Sequence, residues 1–273
     1  MRKNKINSLK EAVTSTEDLS TYLEQKASNH NNYKAYSDVT KVKYWIDHSA
    51  IYLSDGKNWN DRFDRMRFNK STSEVVNYGM CFSFSRSENV AMWMLYGGKG
   101  KDGAMVDFSR ANITRMLETN SVCLGSWKKG EFEEAATLKR NEFTVRIVDV
   151  LYFTKNMEGK YDIKRSDESV GNVSKERIDT LNQVKKSYAW NYENECRLIV
   201  TIKKELIPKG VHTLRIDVGN AYTELLKSNR IYRAPNNQTA KEFVESKLAF
   251  EIDWDLCYQC NCKDNKRKNE KRK

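Results

Sequence analysis

Trp190-Asn-Tyr-Glu-Asn-Glu-Cys-Arg-Leu-Ile-Val-Thr-Ile202 is the stretch that decides how this chain is read. It sets two acids and an arginine at alternate positions of a predicted strand, and alternate residues of a strand share a face. Glu193, Glu195 and Arg197 are therefore expected on one face, with Tyr192, Asn194, Cys196, Leu198 and Val200 on the other. Carboxylates two residues apart on a strand sit roughly 7 Å from each other. Arg197 is then expected to pair fully with one of them and leave the other free to act. From Leu198 onward both faces are apolar, so the strand is expected to enter the core and leave its polar start at an edge or cleft. The plain alternative is a solvated face with a surface ion pair, worth about 0–1 kcal/mol.

Outward from this stretch, Val173 to Tyr188 carries Ile178, Leu181, Val184 and Tyr188 at helical spacing and is expected to pack beside the strand. Val145 to Phe153 reads as another strand, Lys155 to Asn172 as a charged loop, and the polar region up to about Asn141 as irregular. Met80-Cys-Phe-Ser-Phe-Ser85 alternates, placing Phe82 and Phe84 inward and Ser83 and Ser85 on the opposite face. A helix capped by Ser87 or Asn89 follows, carrying Met92, Trp93 and Met94 and ending at Gly97-Gly98. Upstream, Ser15 caps an N-terminal helix bearing Leu19, Tyr22 and Leu23. A short strand over Tyr33 to Thr40 ends at Asp38, which caps a helix with Val39, Val42 and Trp45 on one face. Downstream come a strand over Val211 to Val218, a helix over Ala221 to Lys227 and a strand at Ile231 to Pro235. A helix over Thr239 to Lys247 and a strand over Leu248 to Trp254 follow.

Strands and helices that do not strictly alternate indicate α+β: a mixed or antiparallel split sheet with flanking helices. The expected organisation is an N-terminal helical appendage over 1–32, one α+β domain over 33–255 and a Cys-containing basic tail over 256–273. The chain has 273 residues, with 48 Lys+Arg against 37 Asp+Glu, a formal +11. Lys263 to Lys273 contributes +5 of that. Such a balance attracts polyanions, so DNA or RNA is an expected partner through the basic surface and tail. No apolar run reaches the roughly 20 residues that span a bilayer, and the N-terminus lacks a secretory apolar segment; the expected location is cytoplasmic, with reduced thiols. Cys257, Cys260 and Cys262 lie close together, but no second pair or nearby His completes a zinc site, and no metal is expected. No Ser-His-Asp, phosphate-loop or dinucleotide-fold fingerprint is present.

Three pieces in order carry a family resemblance: Tyr36-Ser37 with a helix, Ile51-Tyr-Leu-Ser54 and Asn60-Asp61; Ser83-Phe-Ser85 with Trp93, Tyr96 and Gly97; and Trp190-x-Tyr-Glu-x-Glu-x-Arg-Leu198. Over roughly residues 33 to 247 the chain resembles the bacterial and phage domain-of-unknown-function 2971 family. That layout in turn resembles ADP-ribosyltransferases, especially DNA-modifying toxins and RNA 2'-phosphotransferases. The resemblance implies NAD as substrate and a role as toxin or anti-phage effector modifying nucleic acid or a nucleic-acid-bound protein. It implies that an early strand, Tyr33 to Ser37, anchors NAD, that Ser83 or Ser85 supplies a hydroxyl, and that Glu195 is the catalytic acid, with Glu193 two before it. The basic anchoring position falls on Ala35, beside Lys34, with Lys34 or Arg86 as substitutes. Tyr36, Ser37, Ser83, Ser85, Trp93, Tyr96 and Arg197 are the expected cofactor-binding residues. Two other readings stand beside this one. The first is a catalytically inactive nucleic-acid- or partner-binding module of the same fold. The second is a glycosidase using Glu193 and Glu195, against which the proximity of Arg197 argues.

Overall fold

The computed structural model describes residues 6–234 apart from 60, 70–72, 87–88 and 98–102. The expected elements at 239–254 and the cysteine-bearing tail lie outside the described residues. The elements are α1 (Leu9–Ala12), α2 (Thr16–Ala27), β1 (Asn32–Asp38), α3 (Val39–Asp47), β2 (Ala50–Ser54), α4 (Arg62–Phe68), β3 (Val75–Ser83), α5 (Val90–Tyr96), β4 (Gly103–Ser109), α6 (Arg110–Leu117), β5 (Ser121–Lys128) and β6 (Glu131–Lys139), continuing with β7 (Phe143–Asp149), β8 (Leu151–Lys155), β9 (Tyr161–Arg165), β10 (Glu168–Val173), α7 (Lys175–Asp179), β11 (Lys185–Ser187), β12 (Glu195–Lys203), β13 (Thr213–Asp217), α8 (Ala221–Lys227) and β14 (Ile231–Arg233). Helix and strand are mixed and the main sheet is antiparallel throughout.

The main sheet is split at β3. One edge of β3 pairs with β12 along its whole length, while the other is shared by β1, at Lys34↔Ser83, and β2, at Ser54↔Gly79. From β1 the sheet continues through β4 to β14, and from β2 through β13 and β5 to β6; β12 carries β7 on its far edge. A second sheet has the order β10-β9-β8-β11, with β11 parallel to β8. The chain crosses between the sheets at Val150, whose N–H donates to the Glu195 carbonyl.

The two faces of the main sheet bury different clusters. Phe82, Cys196, Leu198, Val200 and Ile202 enter a large core with residues of α3, α6 and α8, whereas Ile199 faces a second cluster with Leu9, Leu19, Leu23, Phe68, Leu151, Ile163 and Ile178. Each fully buried aliphatic side chain of this kind contributes about 1.5–3 kcal/mol, so α2 is held by its Leu19 and Leu23. The caps read from sequence form: Ser15 accepts from Asp18 N–H, Asp38 from Lys41 N–H and Asn89 from Ala91 N–H.

Several expectations are corrected. The polar region before Asn141 is the β5–β6 hairpin, turned by Lys129 (φ 50°) and Gly130 (φ 88°), the two successive positive φ values of a tight hairpin turn. The charged loop after Lys155 is the β9–β10 pair. Val145 to Phe153 is two strands, β7 and β8. Val173 to Tyr188 is α-helical only at α7, passes through a 3₁₀ turn at Asn182–Val184 and then becomes β11, because pairing with β8 outweighs the helical spacing. The organising stretch is not one strand: Tyr188–Glu193 is a 3₁₀ turn, Asn194 is left-handed (φ 43°, ψ 60°), and β12 begins only at Glu195. Among the described residues no helix is long and apolar enough to cross a membrane.

Gly79 sets how closely α4 approaches the sheet. A Cβ there would lie 2.7 Å from Phe68 Cζ and 3.2 Å from Trp59 Cζ2. Gly79→Ala is expected to push α4 outward and lower stability by about 1–3 kcal/mol, measured by urea unfolding; an unchanged midpoint would show that the helix can shift without loss.

Candidate functional site

The site is built on the face of β3 and β12 that carries Cys81, Ser83, Glu195 and Arg197, since directly paired residues of neighbouring strands share a face. Three strands contribute one row. Lys34 of β1 pairs with Ser83 of β3, which pairs on its other edge with Glu195 of β12. Lys34 is 5% exposed, Ser83 0% and Glu195 3%, so the row is buried rather than solvated. Ala35 points the other way, into the large core. Position 34, not 35, therefore brings the early strand's cation to this face. Lys34 Nζ donates to the carbonyls of Ser85 (2.7 Å) and Arg86 (3.1 Å).

Glu193 arrives by a different route. The left-handed Asn194 turns the chain so that Phe84 N–H donates to the Asn194 carbonyl (2.9 Å) and Ser83 Oγ to the Glu193 carbonyl (2.7 Å). Asn89, the cap of α5, donates to the Tyr192 carbonyl (2.6 Å). Glu193 thus enters from a turn clamped between β3 and α5, not from the strand face expected for it.

Lys186 of β11 joins the two carboxylates. Its Nζ donates to Glu193 Oε2 (2.5 Å) and Glu195 Oε2 (3.0 Å), 4.9 Å over the Trp190 ring. Glu195 Oε1 accepts from Arg197 Nε (2.6 Å), and the rest of that guanidinium binds Asp64 of α4 (2.9 and 2.5 Å) and the Gln183 carbonyl (2.7 Å). Tyr96 donates its hydroxyl to Glu193 Oε1 (2.6 Å). Arg197 is 0% exposed and Glu193 1%. The expectation that one carboxylate stays free is therefore corrected: both are engaged, within a buried chain running Tyr96, Glu193, Lys186, Glu195, Arg197, Asp64.

The two acids are driven apart in protonation. Burial disfavours ionised Glu195, but Arg197 and Lys186 outweigh it and hold that carboxyl far below the usual range. For Glu193, burial and the repulsion of Glu195 outweigh Lys186, raising its pKa to about 7. Burial works against the charge on Lys186, yet the two carboxylates more than offset it and raise its pKa. Burial and Glu193 raise the Tyr96 hydroxyl.

Cys81, beside Glu195 and Arg197 on an interior strand, is nevertheless exposed. The surrounding protein and the Glu195 carboxylate push its thiol well up.

The other expected residues divide. Ser85 accepts from Asn194 Nδ2 (3.1 Å) and lies 3.3 Å from Ser83 Oγ, within the site. Tyr36 is on the site's side of β1 but packs edge-on against Trp93 (5.0 Å), and Trp93 is closed off at 1% exposure with Met105 and Ala234. Ser37 lies on the Ala35 side of β1, away from the carboxylates. Lys186 and Asp64 escaped the sequence reading. Asp64 is a lone acid among the arginines of Arg62-Phe-Asp-Arg-Met-Arg67, which is a weak signal; nothing distinguishes Lys186 from Lys185.

A family model described as Protein of unknown function (DUF2971) matches residues 92–198, a span holding Trp93, Tyr96, Lys186, Glu193, Glu195 and Arg197. No curated protein and no solved structure matches the chain.

Two outcomes follow from the charges. Removing one partner of a buried ion pair costs about 3–5 kcal/mol, so Arg197→Met is expected to lower unfolding free energy by that order in denaturant titrations. Glu193 gives a pH dependence. Its folded pKa of about 7 lies above the ordinary 4.5, so the native state holds a proton that the unfolded chain has lost between those values. Stability therefore falls as pH rises from 4.5 through 7, by on the order of 3 kcal/mol in total. Glu193→Gln should flatten this slope between about pH 5 and pH 8; parallel slopes would contradict it.

Proposed function

We propose that the protein transfers ADP-ribose from NAD, with Glu195 as the carboxylate that stabilises the breaking nicotinamide–ribose bond. The observation that carries this reading is the row Lys34, Ser83, Glu195 on three neighbouring strands. It supplies a cation from an early strand, a hydroxyl from a second and an acid from a later one, in the order the ADP-ribosyltransferase resemblance calls for. Lys34 takes the basic role that Ala35 cannot.

The chemistry suits these groups. Cleavage of the C1'–N bond sends the electron pair to nicotinamide and leaves positive charge on the ribose, which a fixed carboxylate stabilises. Arg197 and Lys186 keep Glu195 ionised. A carboxylate has about four lone-pair sites, so Glu195, with one cation on each oxygen, retains capacity to accept from a ribose hydroxyl. Glu193, with a pKa of about 7, is suited to take the proton that the acceptor loses as its bond to C1' forms. Two carboxyls pushed apart in this way is a pattern of sites with divided acid–base roles. The acceptor proposed is nucleic acid or a nucleic-acid-bound protein, on the strength of the +11 net charge.

One observation favours a second reading, an inactive binding module of the same fold: Lys186 and Tyr96 close in Glu193, and Lys186 and Arg197 close in Glu195. Nicotinamide release separates the two. Purified full-length protein, incubated with NAD in the presence of DNA, RNA or cell lysate, is expected to release nicotinamide. Glu195→Gln should lower the rate by about 10²-fold or more while keeping a folded circular dichroism spectrum. Absence of release by folded wild-type protein under every condition would leave the binding module.

A further inference from the structure

Among the described residues, Arg67 is the arginine of α4 whose donors are buried without a partner. Nε and Nη2 of Arg67 are buried and have no hydrogen-bond partner, and the guanidinium lies 5.6 Å from the centre of the Phe153 ring. Asp64, one helical turn away, has both carboxylate oxygens taken by Arg197. Asp61 caps the helix, its Oδ1 accepting from the N–H groups of Phe63 and Asp64. Burial pulls the Arg67 pKa down, with the charges of Asp64 and Asp61 opposing and that of Arg197 adding to it. A guanidinium stays charged at any ordinary pH and presents five donors in a planar fork. Leaving buried donors of such a group unmade is unfavourable, and an anion is the missing partner.

The surroundings indicate the kind of anion. Arg62 and Arg65 project from the same helix into solvent, so the field outside Arg67 is positive and favours a multiply charged group. A guanidinium suits the oxygens of a phosphate, and the Phe153 ring lies beside it. Asp64 connects this helix to Arg197, and Arg197 to Glu195, so an anion on Arg67 lies two side chains from the carboxylate row.

We propose that Arg67 anchors a phosphate-binding site. The phosphate belongs either to the pyrophosphate of a dinucleotide seated over Glu195 or to a nucleic-acid backbone. The dinucleotide assignment rests on the NAD reading above; the phosphate site itself does not.

The test is calorimetric titration of the full chain with inorganic pyrophosphate, ADP-ribose, adenosine and a single-stranded oligonucleotide, using wild type, Arg67→Gln and Arg67→Met. Wild type is expected to bind pyrophosphate and ADP-ribose but not adenosine, and both variants to bind them about tenfold or more weakly. Unliganded Arg67→Met should melt no lower than wild type, because the buried donors lost with it had no partner. ADP-ribose binding more tightly than pyrophosphate, with no competition from the oligonucleotide, assigns the phosphate to a dinucleotide; Arg67-dependent displacement by the oligonucleotide assigns it to nucleic acid. Equal binding by wild type and folded variants, no pyrophosphate binding by wild type, or a marked drop in melting temperature of Arg67→Met would each overturn the proposal. Phosphate binding that depends on Arg67 in a protein that never releases nicotinamide would remove the transferase reading and keep the site.

Discussion

The structure depends on a guanidinium that sees no water. Arg197 can occupy the interior because Glu195 meets it from its own strand and Asp64 from α4, while the Gln183 carbonyl takes a further donor. Desolvating an ion costs several kcal/mol, and only this degree of pairing offsets it. The arrangement fixes more than one residue. It requires α4 to lie flat on β3, which the absence of a side chain at Gly79 permits, and it holds the segment ahead of β11 at the distance from which Lys186 reaches both glutamates. The fold's second layer is positioned by charge as much as by its apolar cluster.

Within that frame the two glutamates differ because their backbones differ. Glu195 is a strand residue with a cation on each oxygen. Glu193 comes from a turn and shares one ammonium with its neighbour, meeting otherwise only a phenol. The same buried surroundings therefore suppress the proton on one and retain it on the other. Asn194 is the hinge of this division. Its left-handed conformation, to which Asn is better suited than most residues, separates turn from strand and lets two acids two positions apart have different neighbours.

Much of the architecture could be read because local signals and tertiary structure agree. Ser15, Asp38 and Asn89 cap the helices they precede. Phe82 alternates inward, and the doubly apolar run after Leu198 belongs to a strand covered on both faces. The failures are cases where local pattern and tertiary pairing diverge. Val173 to Tyr188 has helical spacing but yields its end to pairing with β8. β6 exposes most of its residues, so it offers little alternation, although Lys129-Gly130 does mark its turn. In the candidate site, the shared face of Glu195 and Arg197 was legible from their spacing, whereas Glu193 reaches the site from a turn that the spacing did not show. Lys186, Asp64 and the inward turn of Lys34 were not legible either, because their meaning lies in contacts between elements distant in the chain.

The pairing of β3 with β12 has a consequence for how the molecule assembles. Ser83 and Glu193, now in hydrogen-bonding contact, are 110 residues apart in sequence, whereas β5–β6 and β8–β9–β10 close over short turns. Long-range strand pairing is slow, because loop closure must precede the contacts that reward it. The local hairpins can therefore form while the central strands are still apart. During synthesis, β3 must wait with an unpaired edge until the second half of the chain emerges. The charged row is thus completed late, and an incompletely made chain holds neither the buried arginine nor the paired acids.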